Sequence, residues 1–235
     1  VTATKIKTDT KKISQSIAVV NQKTIEDKNI LNISEALENI PGVNAESSSN
    51  SPSPRLIIRG AGLKARYGVR EIMVMQDGIP MTDPDSFTRF DFMDMQDVES
   101  IEVQKGPGSI NAVNTTGGVI QLLTKSVFKE SKNSIKVGVG DDGQKNLHLY
   151  LRKALGENDF TSFSFSHRTI DNSWRDNNKF DTTQGTLKYG HYFQDDSTLE
   201  TEISYTESNM QIPPSMNATE FEIFKATGEE HDTSY

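Results

Sequence analysis

A chain of 235 residues, 34% of them hydrophobic, has length for one large domain or two small ones and for an ample core. Its mean hydropathy of -0.57 leaves no run near the roughly 20 apolar residues of a spanning helix, so the chain is either soluble or crosses a membrane as alternating strands. A formal net charge of -8, from 33 acidic and 25 basic residues, argues against a sequence-independent nucleic-acid binder, and the lack of cysteine excludes disulfides, thiolate metal sites and cysteine nucleophiles.

The first twelve residues are polar, with five Lys and Asp side chains, and read as a mobile N-terminal arm. No signal peptide precedes Val1, so an exported chain is read as its mature form. Order is expected from about Ile13. Ser16 to Val20 reads as a short strand, and Asn21 to Asp27 as one or two helical turns behind a good capping residue. The clearest helix is Ile33 to Ile40: Asn32 caps it, Glu35 completes a capping-box-like pattern, and Ile33, Leu37 and Ile40 share a face before Pro41-Gly42 stops it. The Ser, Asn and Pro cluster from Ser47 to Pro54 reads as loop.

Three strand-like runs come next, Leu56 to Arg59, Glu71 to Asp77 and Val98 to Gln104. Together with the helix they make a small mixed sheet with short helices, an α+β domain. Its loops Ala61 to Val69 and Pro80 to Arg89 are long for their strands and chemically varied, as binding loops are. Arg66, Tyr67 and Arg70, with Asp83, Asp85, Phe87 and Arg89, combine cation, acid and aromatic groups there, a mixture suited to a chelated anionic or aromatic ligand.

From Asn133 the period changes to two. Ile135, Val137 and Val139, then Leu147, Leu149 and Leu151, then Phe163 and Phe165, then Leu187, Tyr189, His191 and Phe193, then Leu199, Thr201, Ile203 and Tyr205 each alternate with polar or small residues. These are five strands of about bilayer-crossing length. Ala154 to Asp159 and Gln194 to Ser197 are short connections, whereas Thr169 to Thr182 and the stretch from Ser208 are long, as in an outer-membrane barrel; Asp141 to Lys145 is shorter than that pattern asks. A soluble meander sandwich would alternate as well.

Other motifs weigh little. Gly138, Gly140 and Gly143 spell G-x-G-x-x-G, but Asn146 to Arg152 alternates as a strand where a dinucleotide fold needs a helix, so the stretch reads as a hairpin turn. Asp91, Asp94, Asp97 and Glu99 could converge on a cation if helical, yet read better as a solvated rim and capping group. The four histidines, His148, His167, His191 and His231, are scattered, with no acid and nucleophile at telling spacing, and no catalytic residue is expected.

Several elements occur together in one order: Pro41-Gly42-Val43 after the helix, Ile58-Arg59-Gly60, Asp77-Gly78-Ile79-Pro80, Ile101-Glu102-Val103 with Lys105-Gly106-Pro107, then Gly117-Gly118-Val119-Ile120 and Thr124-Lys125. This series closely resembles the plug domain of TonB-dependent outer-membrane receptors, over roughly residues 1 to 126. The chain departs at Asn111-Ala112-Val113, where many relatives carry Tyr-Gly. Thr82-Asp83-Pro84-Asp85 and Thr88-Arg89 are similar to members that carry iron chelates or small organic cofactors.

The resemblance implies three parts: an arm over 1–12, a plug over 13–126, and the first strands of a transmembrane β-barrel over 127–235. It implies that Arg59, Gly60, Asp77, Gly78, Pro80, Gly106, Pro107, Gly117 and Gly118 are architectural, that the seven loop residues lie at a ligand-facing apex, and that Val1, Thr2 and Ala3 end a TonB-contacting box. His148 would then point into the lumen beside Tyr150 and Arg152. The partners implied are TonB, a metal-chelate or small-molecule substrate and outer-membrane lipid, without nucleic acid, enzymatic chemistry, resident cofactor or metal. A family barrel has about 22 strands, and five cannot stand alone in a bilayer, so the chain is expected to be part of a larger wall. Residues past Ile212 are expected in an outer loop. The alternative is a soluble plug-like binding module.

Overall fold

The computed structural model describes residues 16–46, 54–64, 69, 71–81, 88, 90–106 and 115–228. The chain divides into two compact units, whose main boundary falls between Ser131 and Lys132.

In the first unit β1 (Ser16–Asn21) runs into α1 (Gln22–Asp27), whose cap is Asn21 through a 2.9 Å bond from Thr24 N. The α2 helix (Ile33–Leu37) is three residues shorter than its apolar spacing predicts. Asn32 Oδ1 does accept from Glu35 N at 3.0 Å, but the return bond to Glu35 comes from Leu31 N, one residue before a true capping box. The early stop follows from Pro41, which disfavours helical backbone at Ile40. Ile40 N turns back to Leu37 O at 3.0 Å instead, which still buries Ile33, Leu37 and Ile40 together. Asn32→Ala removes the cap and is expected to cost about 1 kcal/mol, read as a lower denaturation midpoint with unchanged slope.

The remaining strands are β2 (Val43–Glu46), β3 (Arg55–Ile58), β4 (Ile72–Gln76), β5 (Ile79–Pro80), β6 (Val98–Lys105) and β7 (Gly118–Thr124). β2 and β3 form a two-stranded antiparallel ribbon, and the other five form a mixed sheet in the order β1-β6-β7-β4-β5, parallel only between β4 and β7. β2 and β5 were not expected, being too short to show alternation. Ile101, Glu102, Val103 and Gln104 are buried in succession, so both faces of β6 are covered. Leu37, Leu56, Ile58, Val74, Ile101, Ile120 and Leu122 form the larger core, and Met75 with Val119 a smaller one.

The second unit is an antiparallel meander, β8 (Ser134–Val139), β9 (Lys145–Ala154), β10 (Asp159–Ile170), β11 (Phe180–Tyr192) and β12 (Thr198–Met210), each paired only with its chain neighbours. All five expected strands are present, the longest running to 13 residues. The G-x-G-x-x-G stretch is a hairpin connection, with Gly140 N donating to Gln144 O at 2.9 Å. Past Ile212 there is a helix, α3 (Ala218–Thr227), with a full capping box between Asn217 and Glu220 and Gly228 left-handed behind it.

Candidate functional site

All seven expected ligand residues, Arg66, Tyr67, Arg70, Asp83, Asp85, Phe87 and Arg89, lie outside the described residues, as do Val1, Thr2, Ala3 and Pro107. Their roots are described. The 65–70 stretch leaves after Lys64 and returns through Val69, which is buried, to Glu71; Gly62 N donates to Glu71 Oε2 at 2.9 Å. The 82–89 stretch leaves after Met81, whose N donates to Val74 O at 2.8 Å, and returns through buried Thr88 and Phe90. Because β5 runs back along β4 and Ile72 pairs Gly118, which pairs Lys105, both stretches and residues 107–114 root at one end of the sheet. Ser16 stands opposite Lys105 at that same end. Four antiparallel and parallel pairings therefore bring the roots of these stretches to one end of a rigid support.

The signature residues build that support. Arg59-Gly60 and Asp77-Gly78 occupy the centres of two tight turns, with φ of +50° and +90° in the first and +49° and +85° in the second, the mirror-image turn that matches strand twist. Arg59 is exposed, so no buried charge needs pairing; its N donates to Gly42 O at 3.0 Å. Pro80 pairs with Met75 in β5. Asp77 does more than turn the chain: Oδ1 accepts from Thr124 N at 2.9 Å and Oδ2 from Thr124 Oγ1 at 2.6 Å. Lys125 is nearly buried and donates to Gln96 O at 2.7 Å, while Gln96 Nε2 donates to Ile30 O at 2.8 Å. Thr124-Lys125 is thus the clamp that ends the mixed sheet, a role its motif did not disclose because both partners are distant in sequence.

Gly117 and Gly118 sit where strands touch. A Cβ on Gly117 would meet Ala61 Cβ at 2.4 Å, and Gly106 N donates to Gly117 O at 2.8 Å. Lys105 Nζ donates to Pro41 O at 3.0 Å and ties the end of β6 to the turn behind α2. In the acidic group, Asp94 is a cap, accepting from Gln96 N at 2.9 Å, but it is buried and not part of a solvated rim. Glu99 pairs with Lys129 at 2.5 Å.

The second unit has inverted faces. Asn146, His148, Tyr150, Ser162, Ser164, Ser166, Arg168, Thr182, Gln184, Thr186 and Lys188 are buried, while Ile135, Val137, Val139, Leu151, Phe163, Leu187, Ile203 and Tyr205 are exposed. Register stacks the exposed set into rows, Leu151, Phe163, Leu187 and Ile203 in one, and Ile135 and Tyr205 with the half-buried Leu149 and Phe165 in the next. His148 and Tyr150 share the buried polar face, and Arg152 continues it. Lys188 is held on that face by Glu202 at 3.1 Å. In the β11–β12 turn, Asp195 accepts from Ser197 Oγ at 2.6 Å and from its N, and these bonds hold its carboxyl below the usual carboxylate range. A polar buried face with an apolar open one is the reverse of a soluble sheet and is the pattern of a lipid-facing barrel wall.

Residues 9–119 match the TonB-dependent receptor plug domain. A vitamin B12 transporter of Vibrio vulnificus is 23% identical over 157 residues, 66% of this chain and 25% of its own length. A probable TonB-dependent siderophore receptor of Acinetobacter baumannii, PiuA, is 27% identical over 145 residues, 60% of this chain and 18% of its own. The ferripyoverdine receptor of the Pseudomonas aeruginosa outer membrane, bound to ferripyoverdine, superposes with a TM-score of 0.72 at 20% identity, covering 88% of this chain and 27% of that one. The chain spans between about a fifth and a quarter of the length of such relatives, which are receptors and transporters, not enzymes. Residues 9–119 thus carry the TonB-dependent receptor plug domain, and the sheet behind them shares its fold with the ferripyoverdine receptor.

Proposed function

We propose that this chain supplies the plug and first wall strands of an outer-membrane receptor for active uptake of a scarce chelated nutrient, a ferric siderophore or other iron chelate. One observation carries the reading: a plug whose variable loops root at one sheet end is followed by a sheet with its apolar face outward. In this reading residues 1–12 are a periplasmic arm, 13–126 the plug and 127–235 the wall. Substrate binds over the apex loops, TonB pairs with the arm as an added strand, and force from the inner-membrane proton gradient remodels the plug. Arg66, Tyr67, Arg70, Asp83, Asp85, Phe87 and Arg89 would meet the substrate, and no chemistry is done on it.

Arg66→Ala and Arg89→Ala in the intact receptor are each expected to weaken ferric-siderophore uptake about tenfold, the loss of one charge-assisted contact, while surface expression is unchanged. Unchanged uptake in both removes the apex assignment. The likeness to a vitamin B12 transporter favours a second reading, a corrinoid substrate. Uptake measured with labelled cobalamin beside a panel of ferric siderophores decides between them.

A further inference from the structure

At the end of β10 and β11 that carries the short turns to β9 and β12, the wall's open face holds a polar group that neither the plug nor the apolar band accounts for. Asp159 Oδ1 accepts from Tyr189 Oη at 2.5 Å and lies 2.8 Å from His191 Nδ1, and Phe193 stands edge-on to His191 with ring centroids 4.7 Å apart. Strand parity puts Asp159, Tyr189 and His191 on the same face as exposed Phe163 and Leu187. From Leu187 to His191 is four residues, roughly 13 Å along the strand, so the group lies where the apolar rows give way to short turns. Both bonds fall on one carboxylate oxygen; Oδ2 accepts none from the described residues, and the side chain is 38% exposed.

A carboxylate with a free oxygen beside aromatic rings is a receptor for an ammonium group, through a charge-assisted hydrogen bond and the ring faces. One pair along on the same face, Lys153 stands opposite Thr161, exposed. The surface therefore offers a negative and a positive group side by side, with exposed Leu151, Phe163 and Leu199 next to them. We propose that this patch binds the headgroup of phosphatidylethanolamine: the primary ammonium donates to Asp159 Oδ2, the phosphate meets Lys153, and an acyl chain lies along the leucines and Phe163. A free carboxylate oxygen favours an N–H donor over a quaternary ammonium. Phosphatidylglycerol offers Asp159 only neutral hydroxyl donors beside a net negative charge, a weaker partner than an ammonium.

The inference rests on the wall facing lipid, and the test separates the two. The intact receptor is reconstituted in bilayers of equal phosphatidylethanolamine, phosphatidylcholine and phosphatidylglycerol, then stripped with detergent, and retained lipid is counted by native mass spectrometry. Wild type is expected to retain the ethanolamine lipid at least about fivefold over the others, and Asp159→Asn and Lys153→Gln each to abolish that preference. Heat-modifiable migration reports that each variant is folded, and Lys153→Gln, at an exposed position, keeps the test valid should Asp159→Asn misfold. Equal retention of all three lipids by wild type, or a preference that survives both substitutions, overturns the proposal. So does displacement by soluble phosphoethanolamine, which would mark a free-headgroup site. Failure of the receptor to resist carbonate extraction overturns the membrane reading itself, and the lipid site with it.

Discussion

Gly118→Ala is expected to loosen the plug more than any other single methyl addition to its sheet. Gly118 opens β7 with φ of +145°, and a Cβ there would stand 2.2 Å from Gln104 O, a backbone atom of the paired central strand that cannot rotate aside. Backbone strain and overpacking each cost on the order of 1–3 kcal/mol, so a loss of about 3–5 kcal/mol is expected, a large part of a domain's whole stability. Hydrogen exchange in the intact protein should show β6 and β7 amides opening faster by a factor of 100 or more. The matched control is Gly185→Ala, where nothing lies within 4 Å of the added carbon and no change is expected. Equal protection in the two variants would contradict the packing described for β7.

Leu187→Arg tests the surroundings of the second unit. Leu187 lies mid-strand on the open face, half exposed, with exposed Phe163 and Ile203 on its flanks. In a soluble sheet an arginine there is tolerated within about 0.5 kcal/mol, because it extends into water. At the midplane of a bilayer the same change costs about 2–4 kcal/mol. The expected result is a drop of that size in stability measured by denaturant unfolding from lipid vesicles, with little change for Thr206→Arg on the other face of β12. A neutral Leu187→Arg would favour the soluble binding module over the transporter.

Local residues made much of the molecule legible. Asn21 and Asn32 announced their helices because a cap needs only a side-chain oxygen next to free amides. Asp77-Gly78 announced its turn because few residues tolerate two positive φ angles in succession. The five wall strands showed through period two alone. Elsewhere context overrides local preference: Pro41 cuts α2 short, burial takes Asp94 out of the rim, and β2 and β5 hold only because a neighbour pairs with them.

The sequence by itself determined the order of motifs, the plug domain they resemble and the alternation of the wall, since each depends on residues close together in the chain. The tertiary structure decided which face of that alternation is buried, at which end of the plug sheet the varied loops are rooted, and that Asp77 clamps Thr124 while Gln96 holds Lys125. Alternation is symmetric under exchange of faces, and a contact across 29 or 47 residues leaves no local signature, so only the pairing of strands could supply these.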